Sequence, residues 1–352
     1  MTSYRPWVRR LAAAASLSVG MALVAGCALE TDGADAEETS NGLTTVRVGY
    51  LHTVAVDSHL WLGIEDGIFE KHGLKVKPVE FDTGVTESDA LASGDVDVAM
   101  MGAVLSNFPA QGTSKVFLAN DVEYDTAQLW TAPGSGIDTV KDLAGKKVMT
   151  TEGTTAHVYL HNALKANGVD PDGVEIVNTE MPEAVSGFIS GAAPAVVLWV
   201  PFDKTVEQEL PEANMVDSAK SYFPQSAILG GWAANTDFYE SDRATLDKLA
   251  SAWMEVNDTL VNDPEAIERV HETAYAKDQQ LADTKRQFSF EKVFSNDKWA
   301  QMYRSGEVAR WIGQTERTFV EVGGLDEYVD PEQFLDSQIF MNAYDQWKQD
   351  AQ

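Results

Sequence analysis

The stretch VRVGYLHTVAVDSHLWLGIEDGIFEKHGLKVKPVEF, residues 46–81, carries two periods in one short span. Val46, Val48 and Tyr50 alternate with Arg47 and Gly49, the period of a strand with one buried face. From about Leu60 to His72 the apolar residues recur at helical spacing, and Gly73 stands where a helix is closed by a left-handed residue. Leu74 to Phe81 returns to strand character. A strand, a helix and a second strand in this order predict a crossover and a largely parallel sheet.

Working outward, the pattern repeats. A helix is expected over about Thr86–Ser93 before Gly94, a strand at Val96–Met100, a helix near Leu105–Gln111 and a strand at Lys115–Leu118. A second unit begins at Ile137, with strands at Lys147–Thr150, Val174–Val177 and Ala195–Trp199 and helices at Thr154–Asn167 and about Pro182–Ser190. After Phe238 the text is almost wholly helical: Ala244–Val261, Pro264–Ala276, Asp297–Gly313 and Gln314–Val322. About 310 residues of mixed periodicity exceed what one core usually holds, so two α/β lobes are expected. Chain crossings near Trp130–Gly136 and Ser226–Ala234 place residues 45–131 plus 233–352 in lobe 1 and 132–232 in lobe 2. Such a clamp closes by hinge motion.

At the N-terminus, Arg5, Arg9 and Arg10 precede the apolar run LAAAASLSVGMALVA, residues 11–25, too short to span about 30 Å of hydrocarbon as a stable helix. The run ends in Leu23-Val24-Ala25-Gly26-Cys27, which resembles the lipobox of bacterial lipoproteins. That resemblance implies a signal peptide over 1–26, cleavage before Cys27 and acylation of its thiol, with the chain held on the extracytoplasmic side of the cell membrane. Residues 27–44 are small and acidic and read as a flexible tether. Cys27 is the single cysteine, so no internal disulfide can form.

The chain carries 26 basic and 55 acidic residues, a formal charge of −29, and losing the three leader arginines takes it lower. Such a surface repels nucleic acid and anionic lipid, and a nucleic-acid role is excluded. No GxSxG elbow, P-loop, GxGxxG or catalytic cysteine is present, so no enzyme and no cofactor are expected.

Val48-Gly49-Tyr50, Gly67–Leu74 (GIFEKHGL), Ala90–Asp97 (ALASGDVD), Asp142–Val148 (DLAGKKV) and Leu198-Trp199-Val200-Pro201 resemble, in order and spacing, the periplasmic binding proteins of taurine, alkanesulfonate and nitrate importers. The similarity runs from Val46 to about Phe334, and Phe81–Gly84, Thr154–His157 and Val174–Asn178 look closest to taurine receptors. It implies a two-lobe type II periplasmic binding protein with two crossing hinge segments and a helical C-terminal region. It also implies a monomer that captures a small solute and delivers it to an ABC permease and its ATPase. The implied cargo is a sulfonate, taurine-like or larger. Nitrate, a carboxylate or a nitrogen heterocycle such as a thiamine precursor is the alternative.

The site is expected where strands run into helix starts, whose free N–H groups and positive dipole suit an anion without any lysine or arginine. Gly84 with Val85, Gly102 with Ala103, and Thr154 with Thr155 mark three such starts, and His157 lies in the first turn of the third. Thr53 and Asp57 follow the first strand, and Trp199, Gly230 and Trp232 complete the candidate set at the cleft edges. Two departures from the family bear on the cargo. Its hydroxyls after Met101-Gly102 are Ala103 and Val104 here, and its acidic residue in the return crossing is Gly230. Asp57, Asp121 or Asp125 is left to supply a carboxylate. A reading of another class uses His157 and His161, spaced i, i+4, as metal ligands with His52 or His59.

Overall fold

A computed structural model describes residues 42–350. The expected leader, Cys27 and most of the tether lie outside them.

Ten strands form two five-stranded sheets. The first contains β1 (Thr44–Leu51), β2 (Leu74–Phe81), β3 (Val98–Met101), β4 (Ser114–Val122) and β10 (Leu229–Asn235), in the order β2-β1-β3-β10-β4. The second contains β5 (Ala127–Thr131), β6 (Lys147–Thr150), β7 (Glu175–Asn178), β8 (Ala195–Trp199) and β9 (Asn214–Ser218), in the order β7-β6-β8-β5-β9. Both sheets follow one plan: three parallel strands, then one that runs against both its neighbours. The sheets are therefore mixed. The reversed strand is in each case the one that has just arrived from the other lobe, β10 in the first sheet and β5 in the second.

That insertion moves the expected boundaries. Ala127–Thr131 was expected in lobe 1, yet all five residues pair with Ala195–Trp199 of the second sheet. The outgoing crossing is therefore Glu123–Thr126, not Trp130–Gly136. The return crossing lies between Ser218 and Leu229, so Leu229–Trp232 belongs to the first sheet. The two crossings touch, with the Glu123 N–H donating to the Ile228 carbonyl at 2.9 Å.

Local sequence explains most of the helices. Thr83 caps the helix Gly84–Ser93 by accepting from the Thr86 N–H, and Gly94 ends it at φ 79°. The helix expected over 60–72 starts earlier and is split, into Val54–Glu65 and Ile68–Lys71, because Gly67 turns left-handed at φ 65°. The helix expected near Leu105–Gln111 forms two tight turns instead, Ala103–Ser106 and Pro109–Gln111. Asp242 caps the long helix Arg243–Asn262 through the Thr245 N–H. Gly306 separates Asn296–Ser305 from Glu307–Glu321.

Two apolar clusters result, one for each lobe. Helix Glu307–Glu321 joins them, with Val308, Trp311 and Ile312 in the first cluster and Phe319 fully buried in the second. Its end is held to the second lobe by Glu321, which accepts from His161 and Lys165 at 2.7 Å each.

β10 packs so closely on β4 that a Cβ on Gly231 would lie 2.3 Å from the Leu118 carbonyl oxygen. Backbone cannot swing aside as a side chain does, so Gly231→Ala is expected to lower unfolding free energy by about 1–3 kcal/mol. A lower denaturant midpoint at unchanged slope is the confirming result.

Candidate functional site

Where the lobes face each other, five strand-to-helix junctions and the outgoing crossing enclose one cavity. Its walls come from Leu51, Thr53, Ala55 and Val56, from Gly84, from Gly102–Val104, from Glu123 and Thr126, and from Thr154, Thr155, Trp199 and Val200. The lobes are in contact across it, since the Ala103 N–H of lobe 1 reaches Thr155 Oγ1 of lobe 2 at 3.2 Å. The cavity's free volume is about 40 Å³, roughly three times what one water requires. No lysine or arginine lines it.

Of the residues singled out in the sequence, Thr53, Gly84, Gly102, Ala103, Thr154, Thr155 and Trp199 line this one cavity. The helices Val54–Glu65, Gly84–Ser93 and Thr155–Ala166 begin at this cavity; the Thr83 hydroxyl takes the Thr86 N–H and the Thr53 carbonyl the Val56 N–H, and the other first-turn N–H groups have no partner within the helix. Neither Thr53 nor Thr154 caps its helix. The Thr154 hydroxyl donates to the Thr151 carbonyl at 2.7 Å, and that of Thr155 to Glu123 Oε1 at 2.9 Å. What these threonines leave for a ligand is chiefly the helix start itself.

Five candidates lie elsewhere. Asp57 is buried away from the cavity and accepts from His52, Trp61 and Tyr275, at 3.0, 2.8 and 2.6 Å. Trp232, 1% exposed, sits in the first core, where its Nε1–H donates to Asn120 Oδ1 at 3.1 Å and its ring meets Phe117 edge-on. It is a core tryptophan because its strand is covered by helix Arg243–Asn262, whose Trp253 donates to the same Asn120 oxygen. Gly230 is paired with Asp121 across β10 and β4, and a Cβ there would fall 2.2 Å from Asp121 Oδ1. The side-chain space of position 230 is therefore filled from the neighbouring strand. Val85 and His157 line a second, separate crevice with Asn107, Gly153 and Gly323.

The histidines do not converge. His157 Nδ1 accepts from the Gly153 N–H at 3.2 Å, and burial holds its pKa down to about 4, with His161 adding repulsion. His161 is paired with Glu321, His59 with Asn257 and His52 with Asp57. Among the described residues no three histidine, cysteine or acidic side chains come together to hold a metal. Asp125, the other carboxylate considered, is paired with Ser218 and Lys220.

Sequence reasoning missed Glu123. It lies two residues beyond Asp121, where alternation along a strand puts both on one face as the chain leaves the sheet. Its carboxylate accepts from Thr155 at 2.9 Å and from Thr126 at 3.3 Å. Gly102 is small for this reason, because a Cβ there would stand 2.2 Å from Glu123 Oε1. Burial raises the Glu123 pKa to about 7 against the lowering effect of Thr155, Thr126 and the nearby Ala103 N–H. Trp199, 8% exposed, forms an apolar wall and meets Phe202 edge-on.

The sequence profile of the NMT1/THI5-like family matches residues 58–267, more than half of the chain. The chain belongs to that family. A chain of Brucella abortus (strain 2308) named as a binding protein is 25% identical over 295 residues, 84% of this chain and 91% of the relative. The taurine-binding periplasmic protein of Escherichia coli (strain K12) is 27% identical over 203 residues, 57% of this chain and 62% of its own. Among solved structures, the alkanesulfonate-binding protein of Xanthomonas axonopodis pv. citri, bound to MOPS, superposes with a TM-score of 0.68 at 18% identity. That match covers 83% of this chain and 98% of the other. The fold is that of type II periplasmic binding proteins, and this family member is a solute-binding protein rather than an enzyme.

The two tryptophans give opposite expectations. Trp232→Ala should cost about 3–5 kcal/mol of unfolding free energy, as for other buried tryptophans, in a denaturant titration. Loss of ligand affinity at unchanged stability would instead put that ring in the cleft.

Proposed function

We propose that this chain is the receptor of an ABC importer, anchored through lipid on Cys27, and that it captures a small solute bearing a sulfonate or carboxylate group. The observation that carries this reading is the meeting of three helix starts on one interlobe cavity without a lysine or arginine among its walls. Unpaired N–H groups and the positive ends of helix dipoles hold an anion in such a place. Walls from both lobes mean that a bound solute stabilises the closed form, the state offered to the permease. The names of the taurine- and alkanesulfonate-binding relatives support the same class. The narrow cavity favours a taurine-sized acid over a longer alkanesulfonate.

A screen of melting temperature against taurine, ethanesulfonate, β-alanine, propionate and nitrate tests the class, since a ligand of the folded state raises the midpoint. A rise with at least one organic acid is expected. Response to nitrate alone would replace this reading with an inorganic-anion receptor. Trp199→Ala should weaken the active acid about tenfold while leaving a cooperative unfolding transition, and unchanged affinity would remove Trp199 from the site. For the anchor, mass spectrometry of the membrane fraction should find an acylated N-terminus at Cys27, and Cys27→Ala should release the protein. A soluble native chain beginning upstream of residue 27 would refute it.

A further inference from the structure

We infer that Glu123 reads a basic nitrogen on the solute, making the ligand an amino acid in the broad sense, with a protonated amine at one end and the acid at the other. This rests on the reading that the acid is held at the helix starts.

The argument begins with what Glu123 already holds. The Thr155 hydroxyl, a donor expected to grip the ligand's anion, is directed to this carboxylate, and its oxygen in turn occupies the Ala103 N–H. An anion arriving at that end of the cavity would find those donors engaged and a like charge in front of it. An ionised carboxylate offers about four acceptor positions, and two are filled by Thr155 and Thr126. Acceptor capacity remains on a group that is itself a cavity wall.

Charge balance points the same way. Glu123 is 6% exposed, and no cation lines the cavity. Two further buried acids lie near it: Asp121, two residues before it, 1% exposed with Oδ2 unpartnered, and Glu291, 7% exposed with both oxygens unpartnered, while the neighbouring cations are engaged elsewhere, Lys220 with Asp125 and Lys292 over the Tyr124 ring. Burial pushes both of these acids well above the usual carboxylate range, and the neighbouring acids push them further. Buried carboxylates without a counter-ion are costly, and an ammonium entering the cavity supplies the missing charge. Gly102 and the lobe-bridging Thr155 fix the position of the carboxylate when the lobes are together.

Calorimetry on the purified protein with matched pairs tests this. Taurine and β-alanine should bind at least tenfold tighter than ethanesulfonate and propionate, and Glu123→Gln should abolish that preference. Equal affinity within the wild-type pairs, or a preference that survives Glu123→Gln, overturns the inference. Ethylamine binding in the wild type but not in Glu123→Gln, with every acid silent, would keep the role of Glu123 and overturn the acid reading. Silence of all five overturns both. A second measurement needs no variant. Below pH 7 an ammonium must ionise Glu123, so taurine or β-alanine binding at pH 6 should release a proton into the buffer. At pH 8.5 the release should be nearly absent. Heats that do not depend on the buffer's ionisation enthalpy at pH 6 also overturn the inference.

Discussion

The hydrogen bond from the Glu123 N–H to the Ile228 carbonyl ties together the two strands of chain that pass between the lobes. Everything in the cleft takes its position from this double crossing. It places β5 and β10 as reversed strands in otherwise parallel sheets and aligns the ends of β1, β3, β6 and β8 toward one cavity. Because the crossing itself carries Glu123 and Thr126, the hinge of the clamp is also part of the binding wall. A motion that opens the lobes must change the surroundings of that carboxylate, which packs on Gly102 of one lobe and accepts from Thr155 of the other.

Strands with a plain apolar pattern were legible from the sequence: Leu74–Phe81, Lys147–Thr150 and Ala195–Trp199 have the expected bounds. Less regular stretches were not. The edge strand Asn214–Ser218 is mostly exposed and carries little apolar signal, and the helices Phe202–Glu209, Leu281–Phe288 and Ser337–Asp350 are polar over most of their surface. The candidate site was legible wherever a glycine or threonine marks a strand running into a helix. It failed at Trp232 and Asp57, because a residue's position along a strand or helix does not reveal which other element covers it. Glu123 escaped notice since its meaning depends on Gly102 and Thr155, which are distant in sequence and close in space.

The chain's heavy negative charge is carried inside as well as outside. Asp57, Glu87, Asp121, Glu123 and Glu291 are all buried, and burial is the leading cause of the upward shift of each. Asp57 has three donors to satisfy it, while both oxygens of Glu291 have none. Burial thus holds the acids around the crossing toward their neutral forms, ready to ionise beside a cation, at one end of a cavity whose other walls are helix starts with positive ends. A dipolar cavity of this kind orients its occupant as well as holding it.

Helix Glu307–Glu321 follows the return crossing in sequence, yet it places Phe319 in the core of the second lobe. Drawing the lobes apart must either strip that ring from its pocket or carry the whole helix across with the second lobe. Entry of solute is then gated by the lifetime of this contact, and the receptor's association rate will fall below that of free encounter even when its equilibrium affinity is high. Under scarce solute, the speed of uptake would be governed by a phenylalanine that never touches the cargo.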